Sequence, residues 1–291
     1  MAETVEFASN GSTASGYLAR PEGGSGPGVL VIQEWWGLNP GIKEMADRLS
    51  VGGFTALVPD LYHGDLAGHD EMDKAMGLMT ALPPDRAARD MSGAVDFLLA
   101  DAGTTGDGIG VVGFCMGGML SFMIAANRGD AVKAAVPFYG FPQGDAEPDW
   151  SGLTASVQGH MAEHDDFFGP DAAHALEAKL RGLGKDVTLT VHPGTGHAFM
   201  GPHDAFGTLD EKLAAKIWPE VLTFLHAKLG CGVGKVPMLL AQPGACSQPS
   251  AGPLQRHGCA RAGNFRPGDR SRARRVCRGD VHGAFPRASA A

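Results

Sequence analysis

The chain has 291 residues, 44% hydrophobic and 19% charged, which is enough apolar material for one large core or two ordinary ones. Its 24 basic and 32 acidic residues give a formal charge of −8, which offers no support to a whole-chain role on nucleic acid or an anionic membrane. No apolar run reaches membrane-spanning length, because Gln33 and Glu34 interrupt the one around Val29–Ile32.

The N-terminal stretch MAETVEFASNG has no basic region leading into an apolar one, so a cytoplasmic chain without a signal peptide is expected. Val5–Phe7 and Ser15–Leu18 read as short opening strands. Gly28–Ile32 is an unbroken apolar run of the kind found in a central parallel strand. Pro40–Ser50 carries Ile42, Met45, Ala46 and Leu49 at helical spacing, and Phe54–Val58 is a strand stopped by Pro59-Asp60. A loop rich in His, Gly and Asp follows, then a helix over Arg86–Leu99. Ile109–Val112 predicts a strand and Met116–Ala126 a helix, with a turn at Gly113–Cys115 between them. Val132–Pro137 and Thr154–Gln158 are further strands, and Ala172–Leu183 is a helix. Val187–Val191 is the last strand, and the last helix spans Leu209–Leu229 with a kink at Pro219. Apolar strands alternating with amphipathic helices predict one α/β sandwich domain with a mostly parallel sheet, with no fixed-period repeat.

The composition changes at Leu229. The first 229 residues hold 14 basic and 30 acidic side chains, while 230–291 hold 10 basic and two acidic ones. Four of the five cysteines (Cys231, Cys246, Cys259 and Cys277) also lie in that last stretch. The reading is a catalytic domain over 1–229 and a Gly/Pro/Arg-rich tail over 230–291, disordered or a non-native reading frame. A chain ending near Leu229 is expected to keep its fold and activity. The Arg270–Arg275 cluster suits an acidic partner or the acidic body, and the tail cysteines lack a close C-x-x-C pair for zinc.

Gly113-Phe114-Cys115-Met116-Gly117-Gly118 sits between a predicted strand and a predicted helix. Small flanking residues permit a sharp turn that lifts the central side chain beside the first N–H groups of the helix. Those donors and the helix dipole favour a thiolate and a developing oxyanion. The pattern is the nucleophile elbow G-x-S-x-G with cysteine in place of serine. The structural alternative is a small buried cysteine with glycines for close packing; a dinucleotide-binding loop has different glycine spacing. His197, in Gly194–Phe199 beyond the last strand, is the candidate general base, its alternative being a helix cap or loop hydrogen bond. Asp165 and Asp166 follow the strand Thr154–Gln158. Either can orient the imidazole in the chain order nucleophile, acid, histidine, or serve as a turn acceptor, and spacing does not choose between them.

Taken with Gln33–Gly37 and Pro59–Tyr62, these motifs make Met1–Leu229 resemble the dienelactone hydrolase family. The resemblance implies a three-layer α/β-hydrolase sandwich and a Cys115–His197–Asp165 triad acting on small-molecule esters or lactones without metal or organic cofactor. It also implies that Glu34 controls the nucleophile: the resting thiol lies close to the glutamate, and substrate binding helps release it as a thiolate. Physically, an ionised Glu34 near Cys115 disfavours a thiolate whereas a protonated one can donate to it; a fold-supporting carboxylate is the alternative. The backbone N–H groups of Trp35 and Met116 are candidates for the oxyanion hole. Trp35 and Trp36 suit either core or an apolar pocket, and Trp36 with Phe199 is assigned to the pocket. Members acting on dienelactone are expected to hold its carboxylate with arginines, one shortly after the triad histidine. Here 198–203 contains none, and Tyr62–Met79 offers only Lys74. His63, His69, Lys74 and His203 supply positive potential or are solvated surface.

Two competing classes remain at this point. His160 and His164 stand four apart beside Asp165, so a helical turn would present them together to a catalytic metal, although the segment reads better as a strand-end loop. A noncatalytic α/β small-molecule-binding protein is the other. The favoured expectation is a cofactor-free hydrolase, monomeric or a simple homo-oligomer, with no membrane or nucleic-acid partner.

Overall fold

The structure, a computed structural model, describes residues 1–201 and 203–230. Strands β1 (Ala2–Ser9) and β2 (Ser12–Ala19) form an antiparallel hairpin. Its turn is Asn10-Gly11, with φ of 39° and 92°, a pair of left-handed residues that matches strand twist. The chain continues through β3 (Gly26–Ile32), α1 (Pro40–Val51), β4 (Thr55–Pro59), α2 (Met72–Ala81), α3 (Pro84–Ala100), β5 (Thr104–Phe114) and α4 (Met116–Arg128). It ends in β6 (Val132–Phe138), β7 (Ser156–His164), α5 (Pro170–Gly182), β8 (Val187–Gly196) and α6 (Glu211–Lys228). The sheet order is β1-β2-β4-β3-β5-β6-β7-β8, antiparallel through β1, β2 and β4 and parallel from β4 to β8.

Side-chain alternation divides the apolar residues between two cores. Val29, Val31, Val112 and Val136 pack with Ile42, Met45 and Leu49 of α1 and Ile217, Val221 and Leu225 of α6. On the other face Leu30, Ile32, Val111 and Val157 meet Met91 and Val95 of α3, Phe122 and Ile124 of α4, and Leu176 and Leu180 of α5. β3 is buried along its whole length because both faces are covered, which explains its unbroken apolar run. Each such Val, Leu or Ile contributes roughly 1.5–3 kcal/mol. The result is a three-layer α/β sandwich with a mostly parallel sheet, as the sequence predicts. Among the described residues no helix is long and apolar enough to cross a membrane.

Three local expectations change. The loop after Tyr62 contains a helix, α2, that buries only Ala75 fully and lays Met76, Leu78 and Met79 on Trp35, Trp36 and Ala67. Its single short apolar stripe lies in a segment of His, Gly and Asp, which masks the period. β7 runs on to His164 rather than stopping at Gln158, and β8 runs to Gly196. The expectations for 231–291 lie outside the described residues.

Candidate active site

Three strand ends supply the central residues. Cys115 lies between β5 and α4 with φ 55° and ψ −117°, a conformation that L-residues rarely adopt. The sharp turn depends on its glycines: a Cβ on Gly113 would stand 2.0 Å from the Gly117 carbonyl oxygen, and one on Gly117 would stand 2.3 Å from that of Ile32. The turn is pinned by the Cys115 N–H, which donates to Phe138 O at 3.0 Å. It leaves the thiol partly exposed at the N-terminus of α4.

His197 follows β8 directly, and its Nδ1 lies 2.8 Å from Asp165 Oδ2. The Asp165 Oδ1 accepts from the N–H groups of Phe167 and Phe168 at 2.9 and 3.0 Å, so its carboxylate is fixed at both oxygens. Asp166 is exposed, and the aspartate that meets the imidazole is Asp165. Burial opposes charge on His197, but the Cys115 sulfur and the hydrogen bonds to Asp165 and Cys115 outweigh it and push the imidazole pKa up to about 10.

Around this relay the surroundings are aromatic. The His197 ring lies 5.0 Å from Phe167, 5.2 Å from Tyr139 and 5.5 Å from Phe206, all edge to face. Phe206 also stacks on Trp35 at 6.4 Å. Phe167 is 43% exposed and therefore presents apolar surface at the mouth. Tyr139 has φ 36°, and its hydroxyl is buried without a partner among the described residues. Burial and the neighbouring Glu34, Cys115 and Asp165 hold its pKa well above the usual phenol range.

Met116 is the first residue of α4, where a helix leaves its N–H groups free for an incoming acceptor. The Trp35 peptide is fixed from its carbonyl side by Tyr62, whose hydroxyl lies 3.1 Å from Trp35 O and 3.7 Å from Met116 Sδ. Tyr62 therefore ties together the two residues whose N–H groups are the oxyanion-hole candidates. The sequence motifs give Tyr62 no role of its own; a tyrosine just beyond the buried strand β4 is the available signal.

The pocket assignment of Trp36 and Phe199 needs correction, because both are fully buried and present no surface to a ligand. Phe199 belongs to the core on the α6 side, and Trp36 is covered by His69, His203 and Phe206. Phe167, Phe206 and the Trp35 edge stand beside the relay instead. Among the described residues Glu34 meets neither an arginine nor the thiol in a hydrogen bond: its Oε2 lies 2.7 Å from His203 Nε2, with both side chains 6% exposed. His63 binds Asp90, and Lys74 points outward to Glu71.

The metal expectation fails on geometry. His160 and His164 lie on a strand, not a helical turn, so at 3.3 Å per residue they stand roughly 13 Å apart. His160 is buried against His192, with Nδ1 and Nε2 3.0 Å apart, while His164 is exposed beside Glu163. Among the described residues no group of three His, Cys, Asp or Glu is arranged to hold a metal ion.

An eight-stranded hydrolase-type sandwich, with cysteine, histidine and aspartate gathered at the strand ends, defines the class of the molecule. Residues 14–229 match the model of the dienelactone hydrolase family, and the chain belongs to that family. It is accordingly a hydrolase of ester or lactone bonds. It is 39% identical to "Protein usf" of Aquifex pyrophilus over 204 residues, covering 69% of this chain and 87% of that protein. It is 34% identical over 235 residues to the Aquifex aeolicus (strain VF5) protein called "Putative carboxymethylenebutenolidase", covering 79% of this chain and all of the relative. Among solved structures, a Klebsiella pneumoniae protein described as "Putative Dienelactone Hydrolase" superposes with a TM-score of 0.64 at 25% identity, covering 77% of this chain and 98% of the other.

Proposed function

We propose that the chain hydrolyses small organic esters or lactones through a cysteine acyl-enzyme. The observation that carries this reading is the 2.8 Å His197–Asp165 pair beyond β8 and β7, with Cys115 at the end of β5 foremost among the groups that raise the His197 pKa. The Cys115 thiolate attacks the substrate carbonyl, forming the C–S bond, and the carbonyl electron pair moves to oxygen. The Trp35 and Met116 N–H groups stabilise that oxyanion. Collapse expels the alkoxide, which takes the proton of the His197 imidazolium and leaves as an alcohol, or as the opened hydroxyl of a lactone. The neutral imidazole then takes a proton from water, whose oxygen attacks the thioester; the acid leaves and the thiolate–imidazolium pair is restored. Asp165 holds the imidazole tautomer throughout. The name of the Aquifex aeolicus relative supports lactone opening as one such reaction.

Cys115→Ala is expected to lower kcat for a 4-nitrophenyl ester by on the order of 10⁴-fold or more, as when a nucleophile is removed from a relay that works as a unit. Acid quenching during turnover of the native chain should give a mass increase of one acyl group on the Cys115 peptide. Undiminished hydrolysis by a folded Cys115→Ala variant rejects the mechanism.

A further inference from the structure

The loop between β4 and α2 grips the loop between β3 and α1. Residues Glu34–Gly37 make a turn in which the Gly37 N–H donates to Glu34 O at 3.5 Å, with Gly37 at φ 92°. That carbonyl shares its peptide with the Trp35 N–H, and a trans peptide points the two apart, so the Trp35 N–H faces out of the turn. Among the described residues neither the Trp35 nor the Met116 N–H donates to a backbone acceptor, whereas the Cys115 N–H is taken by Phe138 O. The next two carbonyls of the turn are held from outside: the Tyr62 hydroxyl lies 3.1 Å from Trp35 O, and the Ala67 N–H donates to Trp36 O at 2.9 Å.

Tyr62 is itself firmly placed. Its N–H donates to Asp60 Oδ1 at 3.1 Å, and the Gly64 N–H donates to Asp60 Oδ2 at 2.7 Å. On the neighbouring Leu61 the N–H donates to Gln33 Oε1 and the carbonyl accepts from Arg86 Nη2, both at 3.3 Å. The tyrosine is 5% exposed, and burial, followed by the Cys115 sulfur, holds the phenol well above its usual pKa range. The hydroxyl is therefore always a donor. Met116 Sδ, 3.7 Å away, is a weak acceptor, so the proton goes to Trp35 O while the hydroxyl stays in contact with the first residue of α4.

We propose that Tyr62 is a positioning residue for acyl transfer: by holding Trp35 O beside Met116 it keeps the two free N–H groups converged on one point, where the oxyanion of each tetrahedral intermediate forms. This rests on the reading of Cys115 as the nucleophile. Formation and hydrolysis of the thioester both pass through such an oxyanion, so both steps slow when the donors drift. Formation of the thiolate involves no oxyanion and does not depend on the grip.

The test uses the full chain with two readouts. One is kcat and KM for a 4-nitrophenyl ester. The other is the rate at which iodoacetamide alkylates Cys115, followed on the Cys115 peptide by mass spectrometry. Tyr62→Phe removes only the hydroxyl and is expected to lower kcat about tenfold, less than the roughly 10²–10³-fold that follows loss of an oxyanion donor itself, with KM and the alkylation rate within about twofold of the native values. Tyr62→Leu, a second donor-less variant for the case in which the first does not fold, is expected to show the same split. Incorporating 3-fluorotyrosine at position 62 keeps a hydroxyl in place and should restore kcat. Native kcat in folded Tyr62→Phe or Tyr62→Leu overturns the proposal, as does a loss of kcat that 3-fluorotyrosine fails to restore. A fall in alkylation that matches the fall in kcat also overturns it, because the hydroxyl would then act on the sulfur and not on the oxyanion. Those results leave the acyl-enzyme reading intact; full hydrolysis by a folded Cys115→Ala variant removes that reading and this one with it.

Discussion

Two carboxylate–imidazole pairs have nearly the same geometry: Asp165–His197 at 2.8 Å and Glu34–His203 at 2.7 Å, no side chain among the four more than 6% exposed. They differ in what lies beyond the pair. His197 is acted on by the Cys115 sulfur, whereas His203 turns its second nitrogen to the backbone N–H of Ala205. Asp165 is saturated by two further N–H donors that lock it in place, while Glu34 depends on His203 alone among the side-chain contacts of the described residues. The pair itself is therefore a common structural unit, and its neighbour decides whether it relays a proton or holds a charge still.

The largest effect is expected where the first pair is cut. Asp165→Asn keeps the shape but favours the wrong tautomer, and kcat should fall about 10⁴-fold, as tautomer loss does in other acyl-transfer relays. The pH dependence carries a second signature. The folded pKa of His197, about 10, lies above the roughly 6.5 of an unfolded histidine. Its stabilising contribution is thus complete below about pH 6.5 and is lost as pH rises through about 10. The rate for the native enzyme should fall on the alkaline side as the imidazolium that protonates the leaving alkoxide disappears. In Asp165→Asn that limb should move to lower pH, because the charged hydrogen bond to Asp165 is gone. A pH–kcat profile of both proteins checks this, and an unmoved limb breaks the assignment of His197 to the Asp165 relay.

A pair of histidines hydrogen-bonded to each other sharpens the contrast. Burial, and then the neighbouring His192, push His160 down to about 3, the opposite direction to His197 on the next strand. Between about pH 6.5 and 3 the unfolded chain binds a proton that the folded chain refuses, so stability falls as pH falls. At pH 5 the cost is about 2 kcal/mol relative to pH 8. Urea unfolding at the two pH values should show that component in the native chain and lose it in His160→Phe, whose ring can keep the stack on Phe138. Equal acid sensitivity in the two proteins places the titration elsewhere.

These contrasts were unequally legible in the sequence. The sandwich was, because both periods are written locally: β3 is apolar at every position, and α1 and α3 repeat their apolar residues every three or four. The elbow was too, since its turn is imposed by Gly113 and Gly117 within a few residues of Cys115. The choice between Asp165 and Asp166 was not open to spacing, because two loop neighbours differ only in which one the fold turns inward. The partner of Glu34 lay further out of reach: 169 residues separate it from His203, and a histidine in a loop carries no mark of burial. The same limit misplaced Trp36 and Phe199, whose complete burial comes from α6 and from the loops carrying His69 and His203 rather than from any local pattern. Helix α2 was missed because one short apolar stripe is weak evidence beside polar, glycine-containing neighbours.

The smallest expected effect tests the comparison from outside the cleft. Asp90, 1% exposed, accepts from the Ser9 hydroxyl and lies 2.8 Å from His63 Nε2, so serine, aspartate and histidine are again contiguous. Here the acid stands between the other two. The imidazole meets the carboxylate and not the serine whose proton it would have to take, so this cluster joins β1 and α3 to the loop after β4 and does no acyl transfer. Ser9→Ala is expected to cost about 1.5 kcal/mol, one hydrogen bond to a buried carboxyl group that keeps its other partner, and to leave kcat and KM for the aryl ester as they are. Chemical denaturation and steady-state kinetics on the same preparation separate the two outcomes. A fall in kcat without a fall in stability would mean that adjacency of the three residue types is enough and that the order sulfur, imidazole, carboxylate at Cys115 is not what gives that site its role.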